Sequence, residues 1–376
     1  MKVPFIDIAR YETGFQQRWL DKVASMSAAA QFIGGSEVNT LEDRLKSALD
    51  VRHAVGCANG TDALQLGLRA LGVGAGDVVL VPNATFWATF EAVVNVGGVP
   101  VTVDIDLMDG GIDHQAFEEA VKAERPKAAV VAHLYGWGTS HIRALRALCL
   151  QHDVQLLEDG AQCFGVTYQG ESLFKGARIA TTSFYPAKVL GAAGDAGAVF
   201  TDDAALAERA RRLGNHGRTA HYGYGDVGWN SRLDALQAAF LNLSMNYIDA
   251  RIQSRRRSAE EYRRRLPATG LTPMNPPAGY VENGYCNVCL VSDTSKKQRL
   301  EALLKARSIG FGNIYPGAMS VQEGAAKYLK KHYGGTNAER LSKTVLNLPL
   351  FAYMKPEELD YVITAVQDAV MNGAAE

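Results

Sequence analysis

Residues 183–199 read Ser-Phe-Tyr-Pro-Ala-Lys-Val-Leu-Gly-Ala-Ala-Gly-Asp-Ala-Gly-Ala-Val: a strand-like start, a lysine, then a glycine-rich turn. Lys188 stands among apolar neighbours and glycines that suit a recessed pocket. An ammonium is poorly solvated in such a place, which favours the free amine, the form that attacks an aldehyde. A lone lysine is usually a solvated surface charge, so the reading depends on what else the chain brings to the same spot. Upstream, the apolar run Val154 to Leu157 ends in Glu158-Asp159-Gly160-Ala161-Gln162. That pattern fits a buried strand whose last residues emerge at the carboxyl edge of a parallel sheet, where open α/β sheets bind ligands.

The rest of the chain supports such a sheet. Val78 to Val81 precedes a helical pattern near Phe86, Val99 to Val103 one near Gln115, and Ala128 to Ala132 one near His141. This rhythm predicts an α/β fold with right-handed crossovers and a large, mostly parallel sheet covered on both faces. A long helical region is expected from about Arg232 to Leu266. Pro267, Pro273, Pro276 and Pro277 then mark a junction, dividing the chain into a large domain, 1–266, and a small C-terminal α+β domain, 267–376. In the small domain, strands are expected at Tyr285 to Val291 and Phe311 to Tyr315, with helices from Ser295 to Arg307 and from Pro356 onward.

A lysine and a carboxylate at one sheet edge meet two needs of pyridoxal phosphate: an amine for its aldehyde and an anion to keep the pyridine nitrogen protonated. Lys188 and Asp159 are the candidates. The third need is a set of phosphate donors, available at Asn59-Gly60-Thr61-Asp62 and at Ser183. The first group follows the strand-like His53 to Cys57 and opens a helical pattern, so the Gly60 and Thr61 amides and the Thr61 hydroxyl would lie at a helix N-terminus.

Composition narrows the alternatives. With 376 residues and 47% hydrophobic content the chain can bury a substantial core, and a net charge of -1 gives no general field for nucleic acid or anionic membrane. The five cysteines are scattered and odd in number, against a disulfide framework. No signal-peptide pattern or membrane-spanning run is present, so a cytoplasmic protein is expected. Cys286-Asn287-Val288-Cys289 has the spacing of a metal or redox pair, but its thiols would face opposite sides of a strand, and no metal site is expected. Gly72 to Gly76 follows a helix and precedes a strand, the reverse of a dinucleotide loop. Arg255 to Arg257 and Arg263 to Arg265 read as a solvated, ion-paired helix face with Glu260 and Glu261.

The chain resembles the fold-type I, pyridoxal-phosphate-dependent nucleotide-sugar aminotransferases of the DegT/DnrJ kind. Six segments carry the resemblance in order: residues 33–38, Ala58 to Leu64, His133-Leu134-Tyr135-Gly136, the segment 158–162, Ser183 through Gly197, and Asn230-Ser231-Arg232-Leu233-Asp234-Ala235-Leu236-Gln237-Ala238-Ala239. The resemblance implies transfer of an amino group from glutamate to a nucleotide-linked keto sugar. It also implies an aromatic ring against the pyridine from Phe86, with Trp87 as the competing candidate, and a cofactor contact from Gln162. Asn230 would cross to the cofactor phosphate of a second subunit, which implies a homodimer with shared sites.

At the sugar end the resemblance points to Arg232 and Tyr315 as substrate contacts. Here the chain departs from the family pattern: Tyr315-Pro316 continues into Gly317-Ala318 rather than a second proline and a histidine. Relatives acting on uronic-acid sugars tend to carry a histidine where this chain has Ile314, so an uncharged hexose is favoured, and the similarity of Thr181-Thr182-Ser183 and its surroundings points to the branch acting on 3-keto UDP-N-acetylhexosamines. A 4-keto-6-deoxy sugar on a dTDP, GDP or UDP carrier stays open as the alternative. Retention of Lys188 argues against a related sugar dehydratase, and Lys188 with Asp159 against a non-catalytic regulatory protein.

Overall fold

The computed structural model describes residues 1–269 and 271–372. Its centre is an eight-stranded sheet of β1 (His53–Cys57), β2 (Val78–Pro82), β3 (Val99–Val103), β4 (Ala128–Ala132), β5 (Gln155–Asp159), β6 (Ile179–Ser183), β7 (Gly197–Thr201) and β8 (Lys331–Tyr333). The spatial order is β1-β7-β6-β5-β4-β2-β3-β8. β7 alone runs antiparallel to its neighbours, pairing Gly197 with Cys57 on one side and with Ser183 on the other. Every other pairing in the sheet is parallel.

The central strands are apolar almost throughout because both faces are covered. Leu80, Val101, Val131 and Leu156 pack on one face with the helices Ser36–Leu49, His114–Glu124 and Ile142–Gln151. Val79, Val81, Val130 and Leu157 pack on the other with Gly60–Ala70, Trp87–Asn95 and Ala204–Gly214. Adjacent residues of one strand thus serve opposite layers, as the two-residue period of a strand requires. Asn59, Asp113 and Asp203 start three of these helices by accepting backbone N–H groups of their first turns. No helix of the described residues is long and apolar enough to cross a membrane.

The C-terminal residues form a three-stranded sheet, Thr272–Pro273, Asn287–Leu290 and Val345–Leu348, packed with the helices Thr294–Ala306 and Pro356–Asn372. They also reach across the expected boundary, since β8 extends the large sheet beside β3. Cys286 and Cys289 are both buried but belong to different core clusters. The expected long helix is two, Ala235–Met245 and Ile248–Arg265, the first capped by Asp234. Phe311 to Tyr315 is not a strand. Gly312 makes a single bridge to Asn347, whose side-chain oxygen then takes the Ile314 amide at 2.7 Å and turns the chain toward the large sheet. The arginine-rich helix is only partly as expected. Arg263, Arg264 and Arg265 pair with Glu282, Glu261 and Asp360, whereas Arg255 is buried, donates to the Leu350 carbonyl at 3.4 Å, and is pushed down to about 10 by burial.

At the end of β5 the Glu158 carboxylate is fully buried and accepts from Arg146 Nε at 2.7 Å, Arg146 Nη2 at 2.9 Å and His133 Nε2 at 3.0 Å. Burial alone would raise its carboxyl; the His133 bond and the Arg146 pair outweigh burial and hold it below its ordinary value of 4.5. A lowered folded-state value contributes stability that is present above the unfolded value and lost as pH falls through the folded one. Glu158→Gln should therefore cost about 3–5 kcal/mol near neutral pH. Urea unfolding of both proteins from pH 7 downward should show the difference shrinking once pH drops below 4.5; a gap independent of pH would contradict the ion pair.

Candidate active site

β2 lies between β3 and β4 although it precedes both in sequence, so the chain leaves it in two directions and opens a crevice at the carboxyl edge. A cavity of about 810 Å³ sits there. It is lined by Gly60, Thr61, Phe86, Asp159, Gln162, Ser183, Lys188 and Tyr315, residues from the ends of four strands or the loops that follow them and from the C-terminal region. Two expected site residues lie elsewhere in the chain. Asn230 is exposed, opposite Asn215 in an isolated bridge. Arg232 donates to Asn215 Oδ1 at 2.9 Å and lines a separate cavity of about 220 Å³.

One end of the main cavity is an anion cradle. Asn59 accepts the Asp62 amide at 2.7 Å, while the Gly60 and Thr61 amides have no acceptor within the described residues. They are left at the positive end of the helix Gly60–Ala70. Gly60 is required by proximity: a Cβ there would lie 2.6 Å from Ser183 Cβ, so only a glycine lets the helix start meet the end of β6. From the other side, a Cβ on Gly197 would lie 2.4 Å from the Asn59 carbonyl oxygen. The Ser183 hydroxyl, which accepts the Tyr185 amide at 3.2 Å, keeps its proton for another acceptor.

At the other end lies Asp159. Its Oδ1 accepts the Ala161 amide at 3.1 Å and its Oδ2 accepts the Thr89 hydroxyl at 2.9 Å. Strand alternation sends Glu158 to the opposite face, so of the two adjacent carboxylates only Asp159 lines the cavity. Lys188 is partly buried, with Nζ 3.4 Å from the Tyr285 hydroxyl and 5.1 Å from the centre of that ring.

Gln162 ties the site together. Its Oε1 accepts the Tyr135 amide at 2.6 Å and its Nε2 donates to the Tyr315 hydroxyl at 2.7 Å. Burial holds the Tyr315 hydroxyl well above its ordinary value, so it stays protonated. Phe86 is 58% exposed at the cavity, its ring 6.1 Å from that of Tyr315. Its neighbour Trp87 instead stacks on Phe90 at 5.0 Å and packs beside Gly324, which places Phe86 and not Trp87 at the cavity.

Sequence reasoning missed Thr89 and Tyr285. The four-residue spacing of Thr85 and Thr89 near a helix start was a usable signal for two hydroxyls on one face. Tyr285 lies 97 residues beyond Lys188, and no local pattern connects them.

Known proteins share this arrangement of the whole chain. A sequence model of the DegT/DnrJ/EryC1/StrS aminotransferase family matches residues 15–367. The chain is 34% identical over 365 residues to the UDP-N-acetyl-3-dehydro-alpha-D-glucosamine 3-aminotransferase of Acidithiobacillus ferrooxidans, with 97% of both chains covered. It is also 34% identical to the UDP-2-acetamido-2-deoxy-3-oxo-D-glucuronate aminotransferase of Pseudomonas aeruginosa, over 97% of this chain and 99% of that protein. DesV of S. venezuelae, crystallised in complex with a ketimine intermediate, matches with a TM-score of 0.92 at 32% identity, covering 98% of both chains. A match that takes in every element lining the cavity places the chain in the DegT/DnrJ/EryC1/StrS aminotransferase family.

Proposed function

We propose that this aminotransferase uses pyridoxal phosphate, held by Lys188 and Asp159, to move an amino group from glutamate to a nucleotide-linked keto sugar. The supporting observation is that a lysine, a carboxylate and an anion cradle line one cavity of about 810 Å³. The donor set suits the group: free amides at Gly60 and Thr61 with the Ser183 hydroxyl for a phosphate, and an anion at Asp159 for a protonated ring nitrogen. When bound, the cofactor supplies an electron-withdrawing ring that stabilises negative charge on the carbon losing its proton. Lys188 would hold the cofactor through its Nζ and, as a free amine, would serve as the proton carrier of the site. Asp159 would hold a protonated ring nitrogen, Phe86 would offer its ring to a face of the cofactor, and Gln162 with Tyr315 would border it on the side of the C-terminal region.

For the sugar we propose a neutral 3-keto UDP-N-acetylhexosamine. Ile314 lines the cavity, and Lys188 is the one lysine or arginine among the described residues that does so. A uronate carboxylate would be desolvated there with no free cation from the same subunit, at a cost of several kcal/mol that only Arg232 of the partner subunit could offset. Asn230 and Arg232, which lie outside this cavity in their own protomer, would serve the site of a partner subunit in a homodimer.

With glutamate as donor, kcat/KM for the neutral 3-keto sugar should exceed that for the matching uronate by about tenfold or more. Equal or better use of the uronate would contradict the neutral-sugar assignment while leaving the aminotransferase reading in place. Neither sugar turning over, nor any other nucleotide-linked keto sugar, would contradict both. For the shared site, Lys188→Ala and Asn230→Ala are each expected to be inactive. Their isolated heterodimer should regain activity, because one of its two sites has both residues intact. An inactive heterodimer, or an active Asn230→Ala homodimer, would rule against exchange of Asn230 between subunits.

A further inference from the structure

Thr89 occupies the first turn of the helix Trp87–Asn95 and is 1% exposed. A threonine inside a helix commonly turns its hydroxyl back onto a carbonyl of the preceding turn. Thr89 does not. Its hydroxyl leaves the helix and donates to Asp159 Oδ2 at 2.9 Å. Beside it the equally buried Thr85, itself a lining residue of the cavity, has its hydroxyl 2.8 Å from that of Thr89. A hydroxyl has one proton to give, and an ionised carboxylate can only accept. The Thr89 proton is therefore committed to Asp159, the Thr85 proton must point to Thr89, and the chain runs Thr85 to Thr89 to Asp159 in one direction.

The consequence for Asp159 is orientation. With Oδ1 held by the Ala161 amide and Oδ2 by Thr89, both oxygens are pinned on the protein side. Each oxygen keeps a second lone pair for the cavity. A carboxylate held on one oxygen alone could rotate and aim poorly. We infer that Thr89 is a positioning residue that fixes Asp159 toward the protonated ring nitrogen of the cofactor, with Thr85 supplying the donor beside it. The inference rests on the pyridoxal phosphate reading above.

The test is titration of apoenzyme with pyridoxal phosphate, and with an analogue carrying C–H in place of the ring nitrogen, for wild type, Thr89→Val and Thr89→Ser. Thr89→Val keeps the shape and loses the donor. It should weaken binding of pyridoxal phosphate about tenfold or more, as expected for loss of a hydrogen bond to a charged group. Thr89→Ser, which keeps the hydroxyl, should restore most of that loss. The analogue, which has no ring proton for Asp159 to meet, should be bound nearly equally by wild type and Thr89→Val. An equal loss for both ligands, or no rescue by serine, would reduce Thr89 to packing and overturn the inference. Should Thr89→Val not fold, Thr85→Val removes the donor beside it, and a smaller loss with the same dependence on the ring nitrogen is expected; a loss of equal size for both ligands would overturn it. Wild-type protein that fails to bind pyridoxal phosphate would overturn the cofactor reading itself and this inference with it.

Discussion

Successive residues of a strand point to opposite faces, and at the end of β5 this rule separates two adjacent carboxylates. Glu158 turns toward the helix Ile142–Gln151, where Arg146 neutralises it, and it is bonded as well by His133 from the end of β4. Asp159 turns toward the helix Trp87–Asn95 and its cavity. The buried ion pair is more than filler. Arg146 also donates to the carbonyls of Leu173 and Lys175, and the His133 amide donates to the Asp159 carbonyl at 2.9 Å, so the ends of β4 and β5 are fixed together. One carboxylate braces the strand end from which the other faces the cavity.

The second constraint is the approach of the C-terminal region to that edge. Gln162, on the large-sheet side, meets Tyr315, and Tyr135 donates its hydroxyl to the Ile314 carbonyl at 2.9 Å. Tyr285 comes from the same region to within 3.4 Å of Lys188 Nζ. Apolar packing joins the two parts as well: Cys286, Val288, Ala318 and Leu341 belong to the same core cluster as one face of the large sheet, and Tyr285, Ile314 and Tyr315 pack against it. The polar contacts and this packing together set the positions of Tyr315 and Tyr285 at the cavity. That coupling shapes the cavity on the side of the C-terminal region.

Much of the site was legible because its signals are local. Lys188 stands before a glycine-rich turn, Asp159 ends an apolar run, and Gly60-Thr61 opens a helix after a strand; each is a property of five to ten consecutive residues. The parallel sheet was legible for the same reason, through the alternation of strand and helix patterns. What could not be read depends on distant partners. Phe86 and Trp87 are equivalent aromatics in sequence, and only the packing of Trp87 on Phe90 decides between them. The stretch Phe311 to Tyr315 has strand composition, yet Asn347 diverts it. β8 is a three-residue strand whose pairing with β3 spans more than two hundred residues. Arg255 belongs to a charged run but lies under Gly284, where a Cβ would come within 2.6 Å of its side chain.

The central claim is that Lys188, and no other lysine, carries the cofactor. Borohydride reduction of the protein saturated with pyridoxal phosphate, followed by proteolysis and mass spectrometry, tests it at the level of a single bond. The account predicts one stable pyridoxyl adduct, on the peptide containing Lys188. An adduct confined to a different lysine, or no stoichiometric adduct at all, would contradict it.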